Sequence, residues 1–148
     1  MIVRILAAAL LLATATSQAA DSPSVKAHDG WVRLLPGTLP AGGYVTLENT
    51  SDRAVSIVGA TSPDYGDAMI HRSSTDGGMG RMEMVDSVPL PANGKVAFAP
   101  GGYHVMLTGP KHAVKPGDTV SVTFELSDGA TVPASFVARP ANASGVKD

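Results

Sequence analysis

The stretch DTVSVTFELSDGATVPASFVA, residues 118–138, contains two alternating runs separated by a turn signal. The apolar residues of its first run recur with a period of two, at Val120, Val122, Phe124 and Leu126. Side chains two apart on a strand point to the same face of a sheet. Asp128-Gly129 lies between the runs, and this pair is typical of a two-residue β-hairpin loop. The stretch therefore predicts two antiparallel strands, 118–126 and 130–138, that bury one face.

The chain before this hairpin repeats the same pattern. Proline, glycine, asparagine and aspartate clusters divide it into short runs rich in β-branched and aromatic residues, which are typical of strands. We predict further strands near 31–35, 42–49, 54–61, 67–73, 80–86, 94–99 and 103–108. No segment after residue 20 has a sustained apolar period of 3.6. The sequence therefore predicts one all-β domain, an antiparallel sandwich or barrel over residues 21–139, followed by a flexible tail at 140–148.

The first residues have the layout of a secretory signal peptide. Arg4 is followed by an apolar run over 5–13 and by small and polar residues up to Ala20, and this run is too short to cross a bilayer. We expect residues 1–20 to be removed and the protein to be exported to the periplasm without stable membrane insertion. Because the sequence contains no cysteine, it offers no residue that could carry a lipoprotein anchor.

Composition excludes several classes of function. The net charge is −2 and no basic run occurs, which disfavours a nucleic-acid partner. The lack of cysteine excludes disulfides, thiolate nucleophiles and a blue-copper site, which needs a cysteine ligand. No carboxylate pair has a spacing suited to acid–base catalysis, so we predict no catalytic residues and no enzyme. A monomer is expected.

Two histidines and two methionines stand at fixed intervals. Ten residues separate His71 from Met82, twenty-one separate Met82 from His104, and one separates His104 from Met106. Imidazole nitrogen and thioether sulfur are borderline-to-soft donors, and such a set without a carboxylate suits Cu(I) better than zinc, calcium or magnesium. On the predicted strand 103–108, His104 and Met106 share a face and can bind one ion. We therefore predict a Cu(I) site made by these four residues.

Two further methionines repeat the spacing of two. Met69 precedes His71 in this way and Met84 follows Met82, so both are auxiliary candidates for the metal site. A lone methionine in a β-domain is more often part of the core. The isolated His28 and His112 have no soft donor two residues away, and we interpret them as ordinary surface residues.

The four-residue spacing resembles the signature of the periplasmic copper chaperones of the PCuAC family. Trp31-Val32-Arg33, the strand at 43–49 and the turn at 100–104 also resemble that family, and the similarity spans about residues 27–138. Met84 stands where family members often carry proline. The resemblance implies a cupredoxin-like, immunoglobulin-like β-sandwich that carries Cu(I). It also implies delivery to the maturing copper centres of respiratory cytochrome oxidase, with the copper-bearing oxidase subunit or a Sco-type assembly factor as partner.

Two other classes of protein fit the same sequence. A periplasmic copper resistance or storage protein would bind the same ion without a specific acceptor. A structural β-sandwich without a metal would use the methionines only for packing. The residue spacing favours a metal site but leaves the acceptor open.

Overall fold

The computed structural model describes residues 20–22 and 24–148. The predicted signal peptide therefore lies outside the described residues, apart from its last residue, Ala20. The described part of the chain contains ten strands and one short 3-10 helix, Asp76–Gly78. The strands are β1 (Val25–Arg33), β2 (Ala41–Asn49), β3 (Val55–Thr61), β4 (Tyr65–Ser74), β5 (Arg81–Met84), β6 (Val88–Leu90), β7 (Lys95–Phe98), β8 (Tyr103–Pro110), β9 (Thr119–Leu126) and β10 (Thr131–Arg139). None of the helical segments described has the length and apolar character needed to cross a membrane.

The strands form one open sheet that folds back on itself. Its order is β5-β4-β8-β2-β1-β10-β9-β3-β6, and β7 also pairs with β2. All pairs are antiparallel except β1 with β10, which is parallel. Phe98 on β7 meets Phe124 on β9 edge-on at a centroid distance of 5.8 Å, although these strands do not pair. The two halves of the sheet therefore pack face to face, which confirms the predicted β-sandwich.

The hairpin of β9 and β10 supplies much of the core. Both strands alternate between buried and exposed side chains as predicted. The buried residues are Val120, Val122, Phe124 and Leu126 on β9, and Val132, Ala134, Phe136 and Ala138 on β10. Burial of apolar side chains on both strands removes them from water, which is the main favourable contribution to folding.

The loop of this hairpin differs from the prediction. The N–H of Leu126 donates to the carbonyl of Ala130 at 2.9 Å, so the loop consists of Ser127, Asp128 and Gly129. Among these, Gly129 has a positive φ of 85° while Asp128 does not have one, whereas a two-residue type I′ turn needs positive φ at both positions. The hairpin is confirmed and the two-residue loop is wrong.

One strand was predicted only in part and another was not predicted. The strand predicted near 31–35 is the end of β1, which begins at Val25 because residues before Trp31 pair with β2. A register shift between His28 and Trp31, with Asp29 at φ 57°, interrupts its alternation. β6 is too short to display a period, yet its Val88 and Leu90 are fully buried.

A second, smaller apolar cluster lies beside the sandwich. It contains Trp31, Tyr44 and Ala143, and the rings of Trp31 and Tyr44 are 4.6 Å apart. Arg33 Nε donates to the carbonyl of Ala143 at 3.1 Å. These contacts attach Ala143 to the sandwich. The sequence gives no sign of them, because a small side chain and a backbone carbonyl leave no hydrophobic pattern.

Gly30 occupies a position with no room for a side chain. A Cβ there would lie 2.3 Å from the carbonyl oxygen of Ser135 on β10. We expect Gly30→Ala to lower the free energy of unfolding by about 1–3 kcal/mol, because β1 and β10 must separate to admit the methyl group. Gly80→Ala is the matched control, since a Cβ at Gly80 meets no atom of residues 20–22 and 24–148 within 4 Å. Urea unfolding measures both, and equal stabilities of the two variants would contradict the close packing at Gly30.

Candidate metal centre

β4 is the central strand of the candidate site. It pairs with β8 on one side and with β5 on the other, so that His71 lies opposite both His104 and Met84. Residues directly opposite each other on antiparallel strands point to the same face, with Cβ atoms about 4.5–5.5 Å apart. The other pairs on this face are Met69 with Met106 and Ser73 with Met82. The pairing therefore brings the four predicted ligands and both auxiliary candidates onto one face of the sheet.

His104 is the buried member of this group. Its side chain is 6% exposed, and its ring lies edge-on to His71 at a centroid distance of 5.8 Å. The Nδ1 atom is 3.3 Å from the carbonyl oxygen of Gly102. Because a carbonyl only accepts, this contact assigns the proton to Nδ1 and leaves the lone pair on Nε2. Histidine ligands are commonly oriented by such a contact.

The environment of His104 also favours its neutral form. Burial lowers the pKa of His104 from its usual 6.5, because a buried imidazolium loses its hydration. A positive charge on His71 lowers the pKa further, while the hydrogen bond to Gly102 acts in the opposite direction. Since a proton and a metal ion compete for the same lone pair, a lowered pKa keeps His104 available for a metal.

His71 has an unsatisfied ring nitrogen. Its Nδ1 is buried and has no hydrogen-bond partner among the described residues. Leaving a buried polar atom without a partner costs about 1–3 kcal/mol, so most such atoms are paired. A metal ion bound at Nδ1 would satisfy this atom, so His71 is suited to be a metal ligand.

A cavity opens beside His104. It has a volume of about 250 Å³, and Met82 and Met106 line it together with His104. Met82 is 56% exposed whereas His104 is buried, so the donors extend from the interior to the surface. His71 does not line this cavity. It adjoins the other three predicted ligands through its ring, which packs against the ring of His104.

Two lining residues were missed by the sequence analysis. Tyr44 lies 6.4 Å from His104, measured between ring centroids, and the Arg33 guanidinium lies 5.5 Å from the Tyr44 ring; both line the cavity. Tyr44 is on β2, which pairs with β8, and Arg33 is on β1, which pairs with β2. Because these pairings join strands that are distant in sequence, the ligand spacing does not predict either residue. Because Coulomb repulsion scales with charge, Arg33 disfavours a divalent ion about twice as strongly as a monovalent one.

Harder donors do not gather in the described part of the chain. No group of three or more histidine, aspartate or glutamate residues there could hold a metal ion. His28 contacts Asp29 at 2.8 Å, and His112 contacts Asp64 at 2.9 Å. Met79 is 68% exposed and lies in the loop after the 3-10 helix rather than on the face of β4. None of His28, His112 and Met79 lines the cavity beside His104.

The fold and the donors together define a class: a small β-sandwich domain that presents imidazole and thioether groups, without thiolates, on one sheet face. A family model described as "Putative lipoprotein LpqE-like" matches residues 25–138. The chain belongs to this LpqE-like family, which is of the PCuAC type.

Individual relatives agree with this assignment. "Putative lipoprotein Lxx21020" from Leifsonia xyli subsp. xyli is 32% identical over 124 residues, which cover 83% of this chain and 74% of the relative. The solution structure of CuI-DR1885 from Deinococcus radiodurans is 32% identical, with a TM-score of 0.60 and 80% of each chain covered. The copper-bound PCuAC domain from PmoF2 is 24% identical, with a TM-score of 0.65, covering 79% of this chain and 93% of that domain. The fold is thus a cupredoxin-like, immunoglobulin-like β-sandwich.

Proposed function

We propose that this protein is an exported Cu(I) chaperone that holds the ion with His71, Met82, His104 and Met106. The observation that supports it best is the register of β4 with β8, in which His71 stands directly opposite His104. The buried Nδ1 of His71, which has no hydrogen-bond partner in the part of the chain that the structure describes, adds to this. A carrier, rather than an enzyme, is the function that we propose.

The chemistry of the donors supports Cu(I) as the cargo. Two neutral imidazoles and two neutral thioethers suit a soft monovalent ion, whereas divalent hard cations prefer oxygen ligands. One structural neighbour, DR1885, was solved in its CuI form. The exposed thioether of Met82 is the ligand that an acceptor would displace first, because it requires no opening of the core.

X-ray absorption on the Cu(I)-loaded protein tests the ligands. Two sulfur and two nitrogen neighbours around copper would support the proposed set, and a shell of nitrogen and oxygen alone would overturn it. Removing both β8 donors, with His104→Ala and Met106→Ala, should lower the copper stoichiometry as well as the affinity. A purely structural β-sandwich would lose stability in this variant and would show no specific copper shell in the parent.

The destination and the compartment are further parts of the proposal. The LpqE-like family description as lipoproteins supports export, and we propose a periplasmic location. We also propose transfer by ligand exchange to the maturing copper centres of respiratory cytochrome oxidase, either directly to the copper-bearing subunit or through a Sco-type assembly factor. Incubation of apo-oxidase with the loaded protein tests this. Oxidase activation no faster than from a Cu(I)-chelator buffer at equal free copper would favour the resistance or storage class instead.

Copper affinity is expected to depend on pH through the histidine ligands. Affinity should be constant above about pH 7 and should fall below about pH 6, by up to about tenfold per pH unit for each protonated histidine ligand. Because burial lowers the pKa of His104, His104 should contribute its share of the fall at a lower pH than an exposed histidine would. Competition with a Cu(I) chelator at each pH measures this. A flat affinity from about pH 7.5 to about pH 5 would show that the histidines are not ligands.

A further inference from the structure

We propose that Met69 and Met84 form a second thioether position for a soft monovalent ion, next to His71 and away from Met82, His104 and Met106. This inference rests on the proposed function, since it takes His71 as a ligand of the first ion. It assigns a place to methionines that the four-residue spacing does not use.

The strand register places Met69 and Met84 close to each other. On β5 it is Met84, not Met82, that stands directly opposite His71, because Met82 is paired with Ser73. Met69 lies two residues before His71 on β4, on the same face. Diagonal neighbours of this kind on an antiparallel pair are about 7–8 Å apart at Cα, within reach of long side chains. The two thioethers can therefore approach each other beside His71.

The two pairs of methionines border different cavities. Met69 and Met84 border a cavity of about 400 Å³, whose lining shares no residue with that of the cavity formed by Met82, His104 and Met106. Although Met69 stands directly opposite Met106 in the register, the four thioethers thus border two different cavities. An ion held by Met69 and Met84 would not displace one held by Met82 and Met106.

The charges around the two spaces differ in sign. Asp86 and Glu125 line the cavity of Met69 and Met84, whereas Arg33 lines the other. Carboxylates attract an incoming cation and a guanidinium repels it. Met84 is 64% exposed, so an ion can reach this position from solvent. The second position is therefore suited to the arrival or departure of copper.

His71 links the two positions. Its ring packs against His104, its cross-strand neighbour is Met84, and its buried Nδ1 has no partner among the described residues. His71 lines neither cavity, but the register sets it between Met84 on β5 and His104 on β8. In our proposal its imidazole can therefore pass from one ion position to the other by ligand exchange. With His71 engaged at the first site, Met69 and Met84 offer fewer donors, so the second ion should bind more weakly.

Titration with Ag(I), a redox-inert probe for Cu(I), tests the proposal on the whole protein labelled with 13C-methyl methionine. Met82 and Met106 methyl signals should shift with the first equivalent, and those of Met69 and Met84 only between the first and the second. The signal of Met79, which lies in a solvent-exposed loop, should not move. Leucine replaces methionine with little change in volume, so Met69→Leu with Met84→Leu should abolish the second step, while the control Met79→Leu should keep both steps.

Two results would overturn the second position. Shifts of Met69 and Met84 together with the first equivalent would make them ligands of the first ion, and signals that never move would remove the position altogether. Failure of the proposed function looks different: Met82 and Met106 would stay unshifted at the first equivalent, whatever Met69 and Met84 do.

Discussion

His104→Ala is expected to weaken Cu(I) binding by at least about 100-fold. Losing a residue that only orients a ligand already costs about 10–100-fold in metal affinity, and His104 supplies the lone pair itself in our proposal. Its burial also means that water cannot easily replace the lost nitrogen. Competition against a chromophoric Cu(I) chelator under anaerobic conditions measures the change.

His28→Ala is the matched control for this variant. His28 is a histidine outside the candidate site, held against Asp29 at 2.8 Å, so its loss should leave the Cu(I) affinity within about twofold of the parent, as is usual for surface substitutions. Urea unfolding of metal-free His104→Ala separates binding from packing. If this variant bound copper as tightly as the parent and lost only stability, His104 would be a packing residue.

Phe124→Ala is expected to lower the free energy of unfolding by about 3–5 kcal/mol. Phe124 is fully buried and lies between Phe98, at 5.8 Å, and Phe136, at 6.4 Å, measured between ring centroids. Its removal leaves a cavity between the two halves of the folded sheet. Because small domains have only about 5–15 kcal/mol of stability, this single change removes a large share. Denaturant unfolding monitored by the fluorescence of Trp31 measures it.

Val58→Ala provides the comparison on a neighbouring strand. Val58 lies on β3 and is 43% exposed, so its truncation should change the free energy of unfolding by no more than about 0.5 kcal/mol. A Phe124 variant as stable as the Val58 variant would show that the two sheet halves do not pack around Phe124.

The predicted parts of the fold are those that depend on local pattern. The alternation on β9 and β10 appears in the structure as a buried and an exposed face, because side chains two apart on a strand must share a face. The same rule sets Val105 and Leu107 on the face opposite His104 and Met106, and both are buried in the core. It failed at β1, where a register shift breaks the period, and at β6, which is shorter than a period can reveal.

The sequence by itself determined which soft donors share a face within each strand, because that depends only on the pleat of a single chain segment. The tertiary structure decided which strands are neighbours: β4 lies between β5 and β8, and its register sets His71 opposite His104 and Met84. It also decided that His104 is buried while Met82 is exposed, and that Arg33 and Tyr44 border the site. Pairing between strands distant in sequence follows from how the whole core packs, not from local preference. The spacing of residues along the chain therefore does not predict which strands pair.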